Sequence, residues 1–176
     1  MSFLPENYET PQGGGSYMKL QQGENKLRIL SNPVLGWLDW DNNKPIRYTL
    51  TKKPEKSINP AKPVRHFWAM VVYDYADNAV KIFEITQQTI QSAIQTLSKD
   101  SDWGNPGDYD IKITKKGQDK QTEYSLTPSP KKPLSDEIKQ LAEAKPVNLD
   151  NLFKGGDPFN ISDGGQTQLI HQGLPF

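Results

Sequence analysis

The chain reads as a mainly β protein, a small β-barrel with one interposed α-helix, a flexible N-terminal leader and a C-terminal tail. Short segments alternate apolar and polar residues at period two, and clusters of Asn, Asp, Gly and Pro separate them. Only one longer stretch carries apolar residues at helical spacing. A parallel sheet would need several crossover helices, so many short strands around one helix favour a barrel.

Residues 1–16, ending near Gly13-Gly14-Gly15, read as the leader. Asn25–Leu30 alternates as a strand, and Val34–Trp40 follows Asn32-Pro33 as a second. Asp41-Asn42-Asn43-Lys44-Pro45 is a turn cluster leading into a short strand, Ile46–Leu50. Thr51–Pro63 holds three prolines and four lysines and little apolar content, which predicts an exposed loop. His66–Tyr75 is the most β-prone run, and Asp77-Asn78 turns it into Val80–Ile85, a hairpin. In the helix, Thr86 is placed to cap, and Ile90, Ala93, Ile94 and Leu97 form the apolar stripe. Trp103–Gly107 breaks the chain, and Tyr109–Thr114 with Glu123–Leu126 reads as a second hairpin around Lys115-Lys116-Gly117. A short helix is expected over 135–145, with Asp136 and Glu137 in its first turn. From Pro146 to the end, periodicity is lost and an extended tail is expected. The resulting division is a leader (1–16), a binding domain (17–134), a short helix (135–145) and a tail (146–176).

Of the 176 residues, 34% are hydrophobic and 24% charged, a low apolar fraction that leaves part of the chain outside a core. No cysteine is present, which excludes disulfides and thiolate zinc modules, and two histidines are few for an imidazole metal centre. No apolar run is long enough to span a membrane, and the first residues lack the basic start of a signal peptide, so a cytoplasmic location is expected. The net charge of zero conceals a polarity. Residues 17–134 carry 18 Lys and Arg against 13 Asp and Glu, whereas residues 135–176 carry 3 against 6. A basic centre with acidic ends suits an anionic partner.

Aromatic and basic residues interleave in one stretch. Trp37, Trp40, Tyr48, Phe67, Trp68, Tyr73 and Tyr75 accompany Lys44, Arg47, Lys52, Lys53, Lys56, Lys62 and Arg65, opposed within 44–65 only by Glu55. Cations that track phosphates and flat rings on which bases stack are the two requirements for holding a single nucleic-acid strand. The alternative is that the rings are core and the lysines a solvated loop. Alternation puts Phe67 and Trp68 on opposite faces of their strand, so only one of them is available for stacking, and it places Trp37 and Trp40 apart in the same way. Lys112, Lys115 and Lys116 form a second basic group. The acid pairs Asp39/Asp41, Asp74/Asp77 and Asp108/Asp110 have the chemistry to hold Mg²⁺ for a nuclease, but each sits in a turn context where Asp bonds locally. Neither glycine cluster has the spacing of a phosphate loop, and no nucleophile sits in an activating motif, so no enzyme and no cofactor are expected. His66 reads as an ordinary strand residue. Leu174-Pro175-Phe176, behind a polar Gly-rich stretch, has the make-up of a docking peptide.

Three segments together resemble phage single-stranded DNA-binding proteins: Gly23–Leu30, Arg65–Tyr73 and Tyr109–Gly117. The first is similar to the opening barrel strand of that group. The second resembles the aromatic central strand of the T4-type helix-destabilising core, and the third its late barrel strand. The resemblance implies an OB-like fold whose cleft binds single-stranded DNA in replication, recombination and repair within the infected bacterial host. It implies DNA contacts from Phe67 and Trp68 and from Lys112, Lys115 and Lys116. No cysteine is available for the zinc subdomain of that type, and residues 1–16 carry no Lys or Arg for its basic N-terminal arm. Leu174-Pro175-Phe176 is similar to the Ile-Pro-Phe ending through which bacterial single-strand-binding proteins recruit replication and recombination partners. The expected DNA-binding set is therefore Trp37, Trp40, Arg47, Tyr48, Lys52, Lys53, Lys62, Arg65, Phe67, Trp68, Lys112, Lys115 and Lys116. Five of its cations, Arg47, Lys52, Lys53, Lys62 and Arg65, are assigned to phosphates. A protein-interaction adaptor or host inhibitor on the same barrel is the alternative, and the oligomeric state stays open.

Overall fold

The period-two segments form seven antiparallel strands in one sheet: β1 (Gly23–Ile29), β2 (Val34–Asp41), β3 (Lys44–Thr49), β4 (Arg65–Asp74), β5 (Ala79–Ile85), β6 (Asp110–Lys116) and β7 (Glu123–Pro128). Two helices join them, α1 (Gln88–Lys99) and α2 (Asp136–Ala144). The computed structural model describes residues 16–161 and 165–172. The strand path runs β3-β2-β4-β1-β6-β7, with β5 added on β4, consistent with a small OB-like barrel. The long strand β4 organises it. Its first half (Arg65–Ala69) pairs with β2, its last residues (Val72–Asp74) pair with β1, and Trp68–Asp74 pairs with β5.

Turn chemistry sets the registers. Asn42 and Asn43 adopt φ of 49° and 68°, the left-handed pair that a two-residue hairpin requires and that Asn tolerates better than most residues. The β2–β3 register follows, pairing Trp40 with Pro45 and Trp37 with Tyr48. Asn78, at φ 49°, closes the β4–β5 hairpin where the sequence predicts it. In α1 the capping differs from the expectation: Gln87, not Thr86, precedes the first turn, and its side chain caps no backbone N–H. The helix is held by packing instead, with Ile90 and Ile94 buried and Leu97 half-buried.

Core lies on both faces of β4. Phe67, Ala69, Val71 and Tyr73 enter one cluster; Met70 and Val72 enter the other, with Leu27, Ile29, Ile90, Ile94, Ile111 and Ile113. The first cluster is completed by residues assigned from sequence to a helix and an extended tail. Ile138 and Ala142 come from α2, and Val147, Leu149, Leu152 and Leu169 from the chain beyond it. The domain therefore does not stop at 134, and residues 146–161 and 165–172 are packed structure. Leu149 and Leu152 fall in a 3₁₀ turn, Leu149–Lys154, and Leu169 in an isolated bridge to Ser31, too irregular to show periodicity. At the other end, Tyr17 bridges Ile82 in parallel, and Met18 N–H donates to Ile82 O at 2.8 Å, so part of the β5 edge is covered. Residues 1–15 of the expected leader lie outside the described residues, as does Leu174-Pro175-Phe176.

A buried charge cluster ties β1 to β6. Asp110 is 1% exposed and faces Arg28 (3.6 Å) and Lys132 (2.8 Å). Arg28 also donates to the carbonyls of Gly107 and Lys132, both at 2.8 Å. Burial alone would raise the Asp110 carboxyl's pKa, but the hydrogen bonds from Lys132 and Tyr75 and the charges of Lys132 and Arg28 hold it below the ordinary value. Tyr75, which donates to Asp110 at 2.7 Å, has its phenol pushed far up by burial and by that bond.

Candidate nucleic-acid interface

Strand register decides which side chains meet. Trp37 lies opposite Tyr48 on β3 and opposite His66 on β4, while Trp68 lies opposite Leu35. Directly paired residues project to the same side of a sheet. Leu35, Trp37, Tyr48, His66 and Trp68 therefore share one face, beyond the point where the core under Met70 and Val72 ends. Leu35 is exposed, and the four rings are half-buried. The Trp37 and His66 rings are 5.0 Å apart and tilted by 50°. Trp37 donates its Nε1–H to Leu50 O at 2.9 Å, which ties the ring to the start of the following loop. Lys53 Nζ stands 4.5 Å from the Trp37 ring centre.

The loop between β3 and β4 is anchored rather than loose. Asp39, buried on β2, accepts the backbone N–H of Ile58 at 3.1 Å and that of Trp40 at 2.8 Å. Asp39 of the first acid pair thus serves loop geometry. Lys52, Lys53, Lys56 and Lys62 on the loop, and Arg65 where β4 begins, are all exposed. Arg47 is not available in the same way: its Nε donates to Glu84 at 2.8 Å, and the guanidinium lies 5.9 Å from the Phe67 ring.

On the opposite face, Trp40 packs partly against the first core cluster and carries Lys62 at 5.5 Å from its ring. It borders a recess of about 390 Å³ with Asn42, Asn43, Ile58, Asn59 and Lys62. Phe67 is 0% exposed and packs on Phe153, so the expectation that it contacts DNA is corrected: no base can reach it in the folded chain. Trp68 is the accessible member of that pair. Trp37 and Trp40 stand on opposite faces, as alternation predicts.

The second basic group is placed elsewhere. β3 and the β6–β7 hairpin stand at opposite ends of the strand path, with no strand pairing between them. Lys112 faces Glu24 at 3.7 Å, Lys115 is half-buried opposite Tyr124, and Lys116 is exposed at the hairpin end. Three acids of the other pairs hold cations of the chain itself. Asp74 and Asp77 both hold Lys81, and Asp110 belongs to the Arg28 cluster. Among the described residues, no group of three or more His, Cys, Asp or Glu is placed to hold a metal ion. None of the helices there is long and apolar enough to cross a membrane.

Sequence reasoning missed His66. It sits between Trp37 and Trp68 and bonds on both ring nitrogens, to Gly36 O at 2.8 Å and to Trp68 Nε1 at 3.2 Å. Its i, i+2 relation to Trp68 was visible, but the cross-strand neighbour Trp37 becomes visible only with the register.

Over 139 residues the chain is 27% identical to a protein of Escherichia phage T5 described as a probable ssDNA-binding protein. The match covers 62% of this chain and 53% of that protein, so the chain spans about half the length of this curated relative. No family model matches, and no solved structure matches.

Proposed function

We propose that this chain binds single-stranded DNA with little regard to sequence and without chemistry, serving phage replication, recombination and repair in the bacterial host. The carrying observation is the face of Trp37, Tyr48, His66 and Trp68 beside a loop of exposed cations. The phage T5 relative's description and the segments that resemble phage single-stranded DNA-binding proteins support the same reading.

Bases stack on the rings, each contributing roughly 1–3 kcal/mol, while Lys52, Lys53, Lys62 and Arg65 neutralise phosphates. Two of these lysines rest over indoles in the free chain, Lys53 on Trp37 and Lys62 on Trp40. Binding exchanges partners: a base takes the ring and the ammonium moves to a phosphate. An exposed cation–π contact is worth only about 0.5–1 kcal/mol, so the exchange favours the complex. Trp40 and its recess form a second contact on the far side of β2, and Lys112, Lys115 and Lys116 a third on β6. Leu174-Pro175-Phe176 would recruit replication or recombination proteins.

Titration with a dT oligonucleotide, monitored by tryptophan fluorescence and by anisotropy of the labelled strand, tests the reading. Quenching by the single strand, with a weak response to duplex of equal length, is expected. A flat response in both signals at low salt would refute it and direct attention to a protein partner.

A further inference from the structure

We infer that His66 is the positioning residue of the aromatic face, fixing Trp68 through its acceptor nitrogen and removing the face's free ring N–H groups. The inference rests on the single-stranded DNA reading and specifies how that surface tolerates any base.

The tautomer follows from the partners. A carbonyl only accepts and an indole N–H only donates. The 2.8 Å contact to Gly36 O therefore puts the proton on His66 Nδ1, and the 3.2 Å contact from Trp68 Nε1 leaves His66 Nε2 as the acceptor. The ring is saturated at both ends, and its centre lies 5.0 Å from that of the Trp37 ring, the two planes tilted by 50°. The His66 backbone is tied as well, because the carbonyl accepts from Gln91 Nε2 of α1 at 3.2 Å. Helix, sheet and both indoles thus meet at one residue.

The consequence is chemical. Trp37 Nε1–H is used by Leu50 O, Trp68 Nε1–H by His66, and His66 Nδ1–H by Gly36 O. Each ring offers a π face, but none offers a ring N–H with which to probe a base edge. Base identity is read through edge donors and acceptors, whereas every base has a π face. Removing the acceptor frees Trp68 in two senses. Its ring loses a fixed orientation, and its N–H becomes able to donate to the carbonyl oxygens and ring nitrogens of the bases.

Two variants separate the acceptor from the ring. His66→Phe keeps a ring beside Trp37 without an acceptor; His66→Gln supplies an amide oxygen where Nε2 stands, without the ring. Binding is measured for dT, dC and dA homopolymers of equal length, alongside the indole N–H resonances in ¹H–¹⁵N spectra of the free chain. His66→Phe is expected to shift the Trp68 indole resonance, to weaken binding about fivefold, the scale of one lost neutral hydrogen bond, and to widen the spread among homopolymers. His66→Gln is expected to recover most of the affinity and the narrow spread. Unchanged affinity, spread and indole resonance in His66→Phe would overturn the inference, and so would equal weakening by both variants. If the unaltered chain binds no homopolymer, the function proposal fails instead, and the indole resonances still report whether His66 holds Trp68.

Discussion

Salt dependence tests the electrostatic half of the interface quantitatively. Of the five cations the sequence assigned to phosphates, Arg47 is engaged by Glu84 at 2.8 Å, which leaves Lys52, Lys53, Lys62 and Arg65, all exposed. Each phosphate neutralised on a single strand contributes roughly −0.7 to the slope of log affinity against log salt. These four contacts contribute about −2.8 to the slope, or about a 600-fold loss of affinity per tenfold rise in salt. Replacing Lys52 and Lys53 together with Ala should take about 1.4 off the magnitude of the slope, near 25-fold per decade. Their exposure makes the stability cost small, within roughly 0.5 kcal/mol each. Arg47→Ala is the internal control. It should lower thermal stability by removing a partly buried ion pair, yet leave the slope unchanged. The assay is anisotropy of a labelled dT strand across a tenfold range of salt, for the unaltered chain and both variants. A slope near zero, a slope indifferent to the double lysine change, or a slope reduced by Arg47→Ala would refute the assignment.

Three further outcomes concern the scaffold. Leu149 is fully buried in the cluster that the C-terminal stretch completes, so Leu149→Ala should cost about 3 kcal/mol and lower Tm by roughly 6–12 °C in calorimetry. Asp110→Asn should destabilise the chain by about 3 kcal/mol at neutral pH, because Arg28 is then a buried charge with a weakened partner. The Asp110 pKa is depressed in the folded chain, so its contribution is complete above the ordinary value of 3.8 and is lost as pH falls through the folded value; denaturant titrations should show the gap from the variant closing below about pH 4. Gly36→Ala would set a methyl 2.2 Å from Tyr48 O and 2.9 Å from Phe153 Cε1, forcing strand movement that should cost about 1–3 kcal/mol and weaken DNA binding with no DNA contact removed.

The strands were legible because their cause is local. Alternation in Asn25–Leu30, Asn-Asn at a left-handed turn and Asp-Asn after β4 each act within a few residues. Side-chain roles were less legible because they depend on pairing between distant segments. Phe67 and Trp68 differ in accessibility because Phe153, 86 positions along the chain from Phe67, covers one side of β4. Arg47 looked like a phosphate ligand until strand pairing brought Glu84 beside it. His66 looked ordinary until the β2–β4 register set it against Trp37. The stretch after Pro146 looked unstructured because it packs through a 3₁₀ turn and isolated contacts, which leave neither period two nor period 3.6 in the sequence.

That stretch also bears on the proposed binding face. Gly36 lies between Leu35 and Trp37, and its other side is pressed by Phe67 and Phe153, as the 3.0 Å and 2.9 Å approaches of their ring atoms to an added Cβ indicate. The same residue's carbonyl accepts from His66 Nδ1. Phe153 belongs to the 3₁₀ turn beyond α2, so the C-terminal stretch backs the β2 strand that carries Trp37 and, through Gly36, the imidazole that holds Trp68. Stacking surfaces gain affinity when their rings are already ordered before the ligand arrives, because ordering a side chain on binding costs on the order of 0.5–1.5 kcal/mol. Here that order comes from the core on the far side of the sheet. The absence of a Cβ at Gly36 allows the backing to come that close, which on the proposed function makes the C-terminal stretch a support of the binding face although none of its described residues lies on the aromatic face.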